Sequence, residues 1–171
     1  DVLTGQMTVI GEDYAVQDPR IWGELAGCIE RRERARMRYE RFDGKMKTYD
    51  LAPYHLLAYH GDWYVLGEHA DHVGVVTFAL SRVQEAQGTG VVFTLPLEFD
   101  VRAHVARAFG VVGGGKMLRV RLLFAPAVAA YIRHRVWHPT QRMRQRRDGG
   151  VELSFETAGW KELVRWILSW Q

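Results

Sequence analysis

Apolar residues recur at helical spacing through Ile21, Trp22, Leu25, Cys28 and Ile29, which predicts an amphipathic helix. Asp18-Pro19 marks its start, since aspartate caps orphan N–H groups and proline suits the first helical position. The helix is expected to run to about Arg34. The period then falls to two. Met37 and Tyr39 alternate with Arg36, Arg38 and Glu40 in a strand over residues 36–42. Asp43-Gly44 is a hairpin turn, because that turn needs a positive φ and glycine adopts it at little cost. A second strand is expected over residues 46–51, and Pro53, which lacks a donor, is expected to break the ladder. Further strands follow over residues 55–60, 63–68 and 73–83, with a tight turn at Gly61-Asp62 and a short extended piece over 91–95. Short strands and turns this closely spaced predict a small barrel or a strongly bent sheet. In the weakly patterned lead-in, residues 7–10 are a further short-strand candidate.

A different order begins at Asp100, an N-cap for a helix over 101–109 with Val101, Val105 and Ala108 inward and Gly110 at its end. Gly113-Gly114-Gly115 reads as a linker, without the spacing or the following Lys-Ser/Thr of a phosphate-binding loop. Residues 117–124 alternate, with Leu118, Val120, Leu122 and Phe124 inward and Arg119 and Arg121 outward. Pro126 opens a short helix whose apolar stripe is Val128, Ala129 and Ile132. An extended segment over 135–146 is interrupted by Pro139, and Asp148-Gly149-Gly150 turns into a clean strand with Val151, Leu153 and Phe155 inward. The final helix, residues 160–170, presents Trp160, Leu163, Val164, Ile167 and Leu168 to a core. One more strand would complete a ferredoxin-like split β-α-β arrangement, so the chain is expected to be truncated there or to receive that strand from elsewhere. The organisation expected is α+β in three regions: a lead-in and helix over 1–34, a β-rich region with a following helix over 35–112, and an incomplete ferredoxin-like region over 116–171.

Composition narrows the class. With 171 residues, 47% hydrophobic, the chain has enough apolar surface for a folded core. No apolar run reaches the roughly 18 residues a membrane span needs, so no membrane partner is expected. No signal-peptide pattern opens the chain, Asp1 in place of methionine suggests a fragment, and the single cysteine, Cys28, leaves no internal disulfide. A cytoplasmic setting follows as the expectation. Net charge is only +3, yet no Asp or Glu stands between Asp100 and Asp148. Arg119, Arg121, Arg133, Arg135 and Arg142 lie in that stretch, a candidate basic surface for an anionic partner or a patch neutralised across a subunit contact.

Catalytic and metal motifs are missing. His55 and His60 point to opposite faces of a strand, His69-Ala70-Asp71-His72 can hold a metal but reads first as a polar surface loop, and His134 and His138 have no nearby carboxylate. There is no Gly-x-Ser-x-Gly elbow and no dinucleotide fingerprint, and Cys28 sits on the apolar face of its helix. No catalytic residue, metal ligand or cofactor is assigned, and the chain is expected not to be an enzyme. Tyr39, His55 and Tyr59 can stack on or hydrogen-bond to bases, or form ordinary sheet surface; His55 and Tyr59 share a face. Trp63 and Tyr64 alternate, so only one of them faces a given surface, and packing is the first role for Trp63. Arg82 can hold a phosphate bidentately or pair with a carboxylate. His138 and Gln141 are read as stabilising the last region.

Trp63-Tyr64-Val65 after the Gly61 turn, Thr77-Phe78-Ala79-Leu80-Ser81-Arg82-Val83 downstream, and Ala108-Phe109-Gly110 together resemble the WYL domain of bacterial transcriptional regulators. Trp137-His138-Pro139-Thr140-Gln141, Asp148-Gly149 and Trp166-Ile167-Leu168-Ser169-Trp170 resemble that family's C-terminal extension. The resemblance spans residues 18–170. It implies a small Sm-like, SH3-type β-barrel that senses single-stranded nucleic acid or a nucleotide, with Tyr39, His55, Tyr59, Tyr64 and Arg82 as candidate ligand residues. It also implies a homodimer formed through the extension, and promoter binding by an upstream helix-turn-helix that this chain lacks. Val65 stands for the signature leucine and Val76 for an arginine, while Arg82 is kept. The alternative reading is a non-regulatory module that binds single-stranded nucleic acid directly. A nucleotide-processing enzyme is a third.

Overall fold

The computed structural model describes residues 18–111, 117–158 and 160–170. The strand candidate over 7–10 and the Gly113-Gly114-Gly115 linker lie outside the described residues. Helix α1 (Pro19–Arg31) starts where the cap predicts, the Asp18 carboxylate accepting from the backbone N–H of Arg20 at 2.9 Å. It stops short of the expected end because Arg32 turns left-handed, with φ of 54°, and Glu33 already begins β1 (Glu33–Glu40). Alternation along β1 buries Ala35, Met37 and Tyr39 and exposes Arg36, Arg38 and Glu40.

β2 (Met46–Tyr59) is one long strand where two were expected. Pro53 does not end it, because β2 changes partners around that point. It pairs with β1 up to Leu51 and with β3 (Asp62–His69) from Leu51 onward, the register slipping between Pro53 and His55. A strand tolerates a missing N–H at such an irregularity. Gly67 faces Pro53, and a side chain there would collide with the Ala52 carbonyl.

The strand expected over 73–83 divides into β4 (Val76–Ala79), a single 3₁₀ turn (Leu80–Arg82) and the start of β5 (Val83–Val92). The extended piece expected over 91–95 supplies the end of β5. The sheet order is β4-β3-β2-β1-β5. Among the described residues β4 and β5 do not pair, so the sheet stays open where a closed barrel was expected. β4 runs only four residues before the 3₁₀ turn diverts the chain. Helix α1 packs on β5, β1 and β2, and Leu25, Met37, Leu51, Val65 and Leu66 are fully buried. Each such side chain contributes about 1.5–3 kcal/mol of transfer free energy.

The chain divides into two compact units, Asp1–Val73 with Phe78–Thr94, and Gly74–Thr77 with Leu95–Gln171. In the second, Asp100 caps α2 (Val101–Ala106), which is shorter than expected. β6 (Met117–Phe124), α3 (Pro126–Arg133), β7 (Arg142–Gln145), β8 (Val151–Ala158) and α4 (Lys161–Leu168) follow. The three strands form an antiparallel sheet in the order β6-β8-β7. Phe124, Ala129, Ile132, Val151, Leu153, Phe155 and Leu163 are its core.

The apolar face of α4 differs from the expected one. Leu163 and Ile167 do join the core, but Trp160, Val164 and Leu168 are exposed. Trp166 and Trp170 pack there instead, with Trp166 at 4.8 Å from Trp137 and 5.0 Å from Phe109 between ring centroids. Broad indole rings fill that space better than leucine or valine and bury more area. The segment expected as extended over 135–146 is a strand only over β7. Before it, the Gln141 side-chain carbonyl accepts the N–H groups of Trp137 and His138, at 2.6 and 3.1 Å, and holds a turn. No described helix is long and apolar enough to cross a membrane.

Candidate ligand site

The 3₁₀ turn Leu80–Arg82 sets the site. Leu80 is buried, which anchors the turn, and Arg82 follows at its end. Its guanidinium carbon lies 4.8 Å from the ring centre of Tyr39 and 3.9 Å from that of Phe42. Tyr39 comes from the buried face of β1, and Phe42 from the hairpin that follows it. Phe42 is 67% exposed, so one face of the guanidinium is covered by a ring that is itself mostly in water. Cation–π contacts of this kind are worth about 0.5–1 kcal/mol each at exposed sites.

Those contacts do not use the N–H groups. Arg82 Nη2 is buried and has no hydrogen-bond partner among the described residues. A buried donor left unpaired costs about 1–3 kcal/mol. Next to it, Ser81 donates from its hydroxyl to the Asp62 carboxylate at 2.6 Å, and the other Asp62 oxygen accepts the N–H of Trp63 at 2.8 Å. Asp62 is thereby held by its own hairpin and by the 3₁₀ turn. Burial pushes the Tyr39 hydroxyl above its ordinary pKa, and the Arg82 charge partly opposes that. Behind Tyr39 an aromatic layer continues: Phe78 lies 4.9 Å from both Tyr39 and Tyr49, and Tyr49 lies 4.9 Å from His69.

Of the five candidate ligand residues, Tyr39 and Arg82 meet directly. The β2–β3 register places Tyr59 opposite Asp62 and Tyr64 opposite Leu57, so Tyr59 and Tyr64 lie toward the hairpin end that carries Asp62. The Tyr59 ring lies 4.1 Å from that of His60, tilted by 50°. His55 is exposed further along β2, opposite Leu66. Trp63 faces the other way and meets Trp22 of α1 edge-on at 5.7 Å, a packing role. Phe42, Asp62 and Ser81 were not singled out from sequence. A phenylalanine immediately before Asp43-Gly44, where a hairpin turn is normally polar, was the available signal for Phe42.

The candidate basic surface separates into four kinds of arginine. Arg119 pairs with Glu156 across β6 and β8 at 3.2 Å. Arg135 lies over the rings of Tyr131, at 4.2 Å, and Trp137, at 5.7 Å. Arg133 is exposed at the last turn of α3. Arg121 and Arg142 are exposed and have no ion pair among the described residues.

His69 and His72 do not form a metal site with Asp71. Asp71 pairs with Lys47 at 2.9 Å, and its backbone N–H donates to His69 Nδ1 at 3.2 Å. Among the described residues no three metal-binding side chains converge. His138 is buried, stacked at 5.1 Å on Phe155, and shares Nδ1 with the Thr140 hydroxyl at 3.0 Å. Burial lowers its pKa, against a backbone hydrogen bond with Ala108 that raises it, and the ring serves as a packing group.

Comparison with known proteins adds the following. A WYL domain matches residues 20–87, and a WCX domain matches residues 116–171. The first interval contains Tyr39, Phe42, Asp62, Ser81 and Arg82; the second contains Arg119, Arg121, Arg133, Arg135 and Arg142. No curated protein matches the chain in sequence. Among solved structures, proteasome accessory factor B/C (PafBC) of Arthrobacter aurescens is similar, at 19% identity and a TM-score of 0.46. That match covers 87% of this chain and 22% of the other, so the chain spans about a fifth of its length.

Proposed function

The chain belongs to the WYL-domain proteins, its WYL domain followed by a WCX domain, and from that premise we propose that it is the ligand-sensing region of a transcriptional regulator. The ligand is anionic and carries a ring: a nucleotide or a short single strand of nucleic acid. One observation carries this reading. Arg82 is fixed between two aromatic rings and keeps a buried donor without an acceptor. A phosphate supplies the acceptor, and charge-assisted bonds to guanidinium are among the strongest available. A base stacks on the ring of Phe42 or Tyr59 once the phosphate is held.

Phe42 gives the site two states. With the ring over the guanidinium, the donor is covered. With the ring displaced, the donor reaches the ligand. A ligand shifts such an equilibrium only by its unequal affinity for the two states. Because Phe42 stands on the β1–β2 hairpin and Arg82 on the turn into β5, ligand binding changes how these two connections pack. In the proposed regulator that change passes to a dimer contact in the WCX domain and to a helix-turn-helix elsewhere in the protein, which binds promoter DNA. The open five-stranded sheet takes the part of the Sm-like barrel in this scheme. The region itself catalyses nothing and acts in the cytoplasm.

Ligand-induced stabilisation tests the site. The probes are unlabelled five-nucleotide single strands of differing base composition, without a terminal phosphate. At a hundredfold excess over Kd, a true ligand raises stability by about 2.7 kcal/mol, read as a rise in Tm. Arg82→Gln is expected to lose that rise. Equal rises in the two proteins, or none with any probe, would remove Arg82 from the ligand site.

A further inference from the structure

The sheet of the second unit has two faces of opposite character. Leu153 and Phe155 of β8 point to the helices and are buried, while Glu152, Ser154 and Glu156 point away from them. The registers align these outward residues with arginines on both neighbouring strands. Arg119 stands opposite Glu156, and Arg144 opposite Glu152, each pair closing an ion pair at 3.2 Å. Between them lies a third row. Arg121 of β6 and Arg142 of β7 both stand directly opposite Ser154, one on each side. Neither has an ion pair or a side-chain hydrogen bond among the described residues, and both are exposed.

We propose that this row, Arg121–Ser154–Arg142, is a binding site for the terminal phosphate of a small phosphomonoester. Directly opposed residues on neighbouring strands have Cβ atoms about 5 Å apart, so the two arginines flank the serine at a distance both side chains can span. Two guanidinium groups then converge on one anion from opposite sides, and the Ser154 hydroxyl exchanges its long 3.5 Å bond to the Arg142 carbonyl for one to the anion. Four arginines against two glutamates leave this face with an excess of positive charge, centred on the middle row.

The neighbouring rows decide the kind of phosphate. Successive outward residues on β8 are about 7 Å apart, close to the spacing of phosphates along an extended strand. A nucleic-acid backbone lying along the sheet would therefore bring its next phosphates over Glu152 and Glu156. Both carboxylates already hold their arginines, and both repel an anion. A single phosphate with two charges fits one free row; a track of singly charged phosphates does not. This site is distinct from Arg82 in its residues and its unit, and either can fail without the other.

Titrating the full chain with inorganic phosphate at constant ionic strength tests it, read from the arginine Nε–Hε NMR signals. Arg121 and Arg142 are expected to shift together and saturate, while Arg133 moves only slightly and linearly. Arg121→Gln and Arg142→Gln are each expected to weaken binding about tenfold or more, as losing a charge-assisted bond does. A nucleoside 5′-monophosphate is expected to bind as phosphate does. An unphosphorylated single-stranded hexamer is expected to leave Arg121 and Arg142 unsaturated at the same concentration. Shifts at Arg133 that match those at Arg121 would overturn the proposal, since they report a diffuse ion atmosphere. Tighter binding of the hexamer at these arginines would overturn it in favour of a backbone track.

Discussion

Arginine is used in opposite ways in the two units. In the first, Arg82 is drawn between Tyr39 and Phe42 and keeps a buried nitrogen without an acceptor. In the second, Arg119 and Arg144 lie on an open sheet face, each in an exposed ion pair. The chemistry of the guanidinium is the same, but its surroundings set its worth. Water and salt screen the exposed pairs, which typically contribute 0–1 kcal/mol. Burial leaves the unmet donor of Arg82 costly, at about 1–3 kcal/mol, and makes it ready to repay that cost to a ligand. Excess charge alone therefore does not mark a site. A donor without a partner does, desolvated at Arg82 or set at one register position on an open sheet at Arg121 and Arg142.

The contrast can be broken by replacing each arginine in turn. The larger effect is expected at Arg82. Arg82→Met keeps an unbranched side chain between the two rings and removes the unpaired donor. Relief of about 1–3 kcal/mol outweighs the loss of two cation–π contacts, for a net gain of about 1 kcal/mol in the free protein. Urea unfolding measures this directly. A loss of stability of similar size would mean that the guanidinium is a structural group, with its donor satisfied in solution. The smaller effect is expected in the second unit, where Arg119→Gln changes stability by less than about 0.5 kcal/mol, and less still as salt is raised. A larger, salt-insensitive loss would erase the distinction between the two regions.

How far the chain could be read from its sequence depended on how strongly each segment is patterned. β1 and β8 were legible because one face is buried and the other wet, so Met37 and Tyr39, or Leu153 and Phe155, stand out at period two, whereas in β6 Leu118, expected inward, is exposed and only Phe124 is buried. β5 was not, because Gln84, Glu85, Gln87, Gly88 and Thr89 lack that contrast on an edge strand. Pro53 misled because its effect depends on where the strand changes partners, a tertiary fact. In α4 the apolar residues outnumber the places in the core, and only packing decides that Trp166 enters and Trp160 stays out. At the candidate site, Arg82 and Tyr39 were named from sequence, and the structure places them in contact. Phe42 and Asp62 arrive through hairpin geometry, which no spacing along the chain expresses.

The claim at the centre is that the donor of Arg82 is kept for an anion. Fluorescence anisotropy of a labelled short single-stranded DNA, titrated with the wild-type chain and with Arg82→Gln at low and moderate salt, tests it most directly. The expected result is saturable binding by the wild type, persisting at moderate salt and lost in Arg82→Gln while the second unit's arginines remain. Binding that Arg82→Gln retains in full and that salt abolishes would contradict the claim and assign the interaction to diffuse charge.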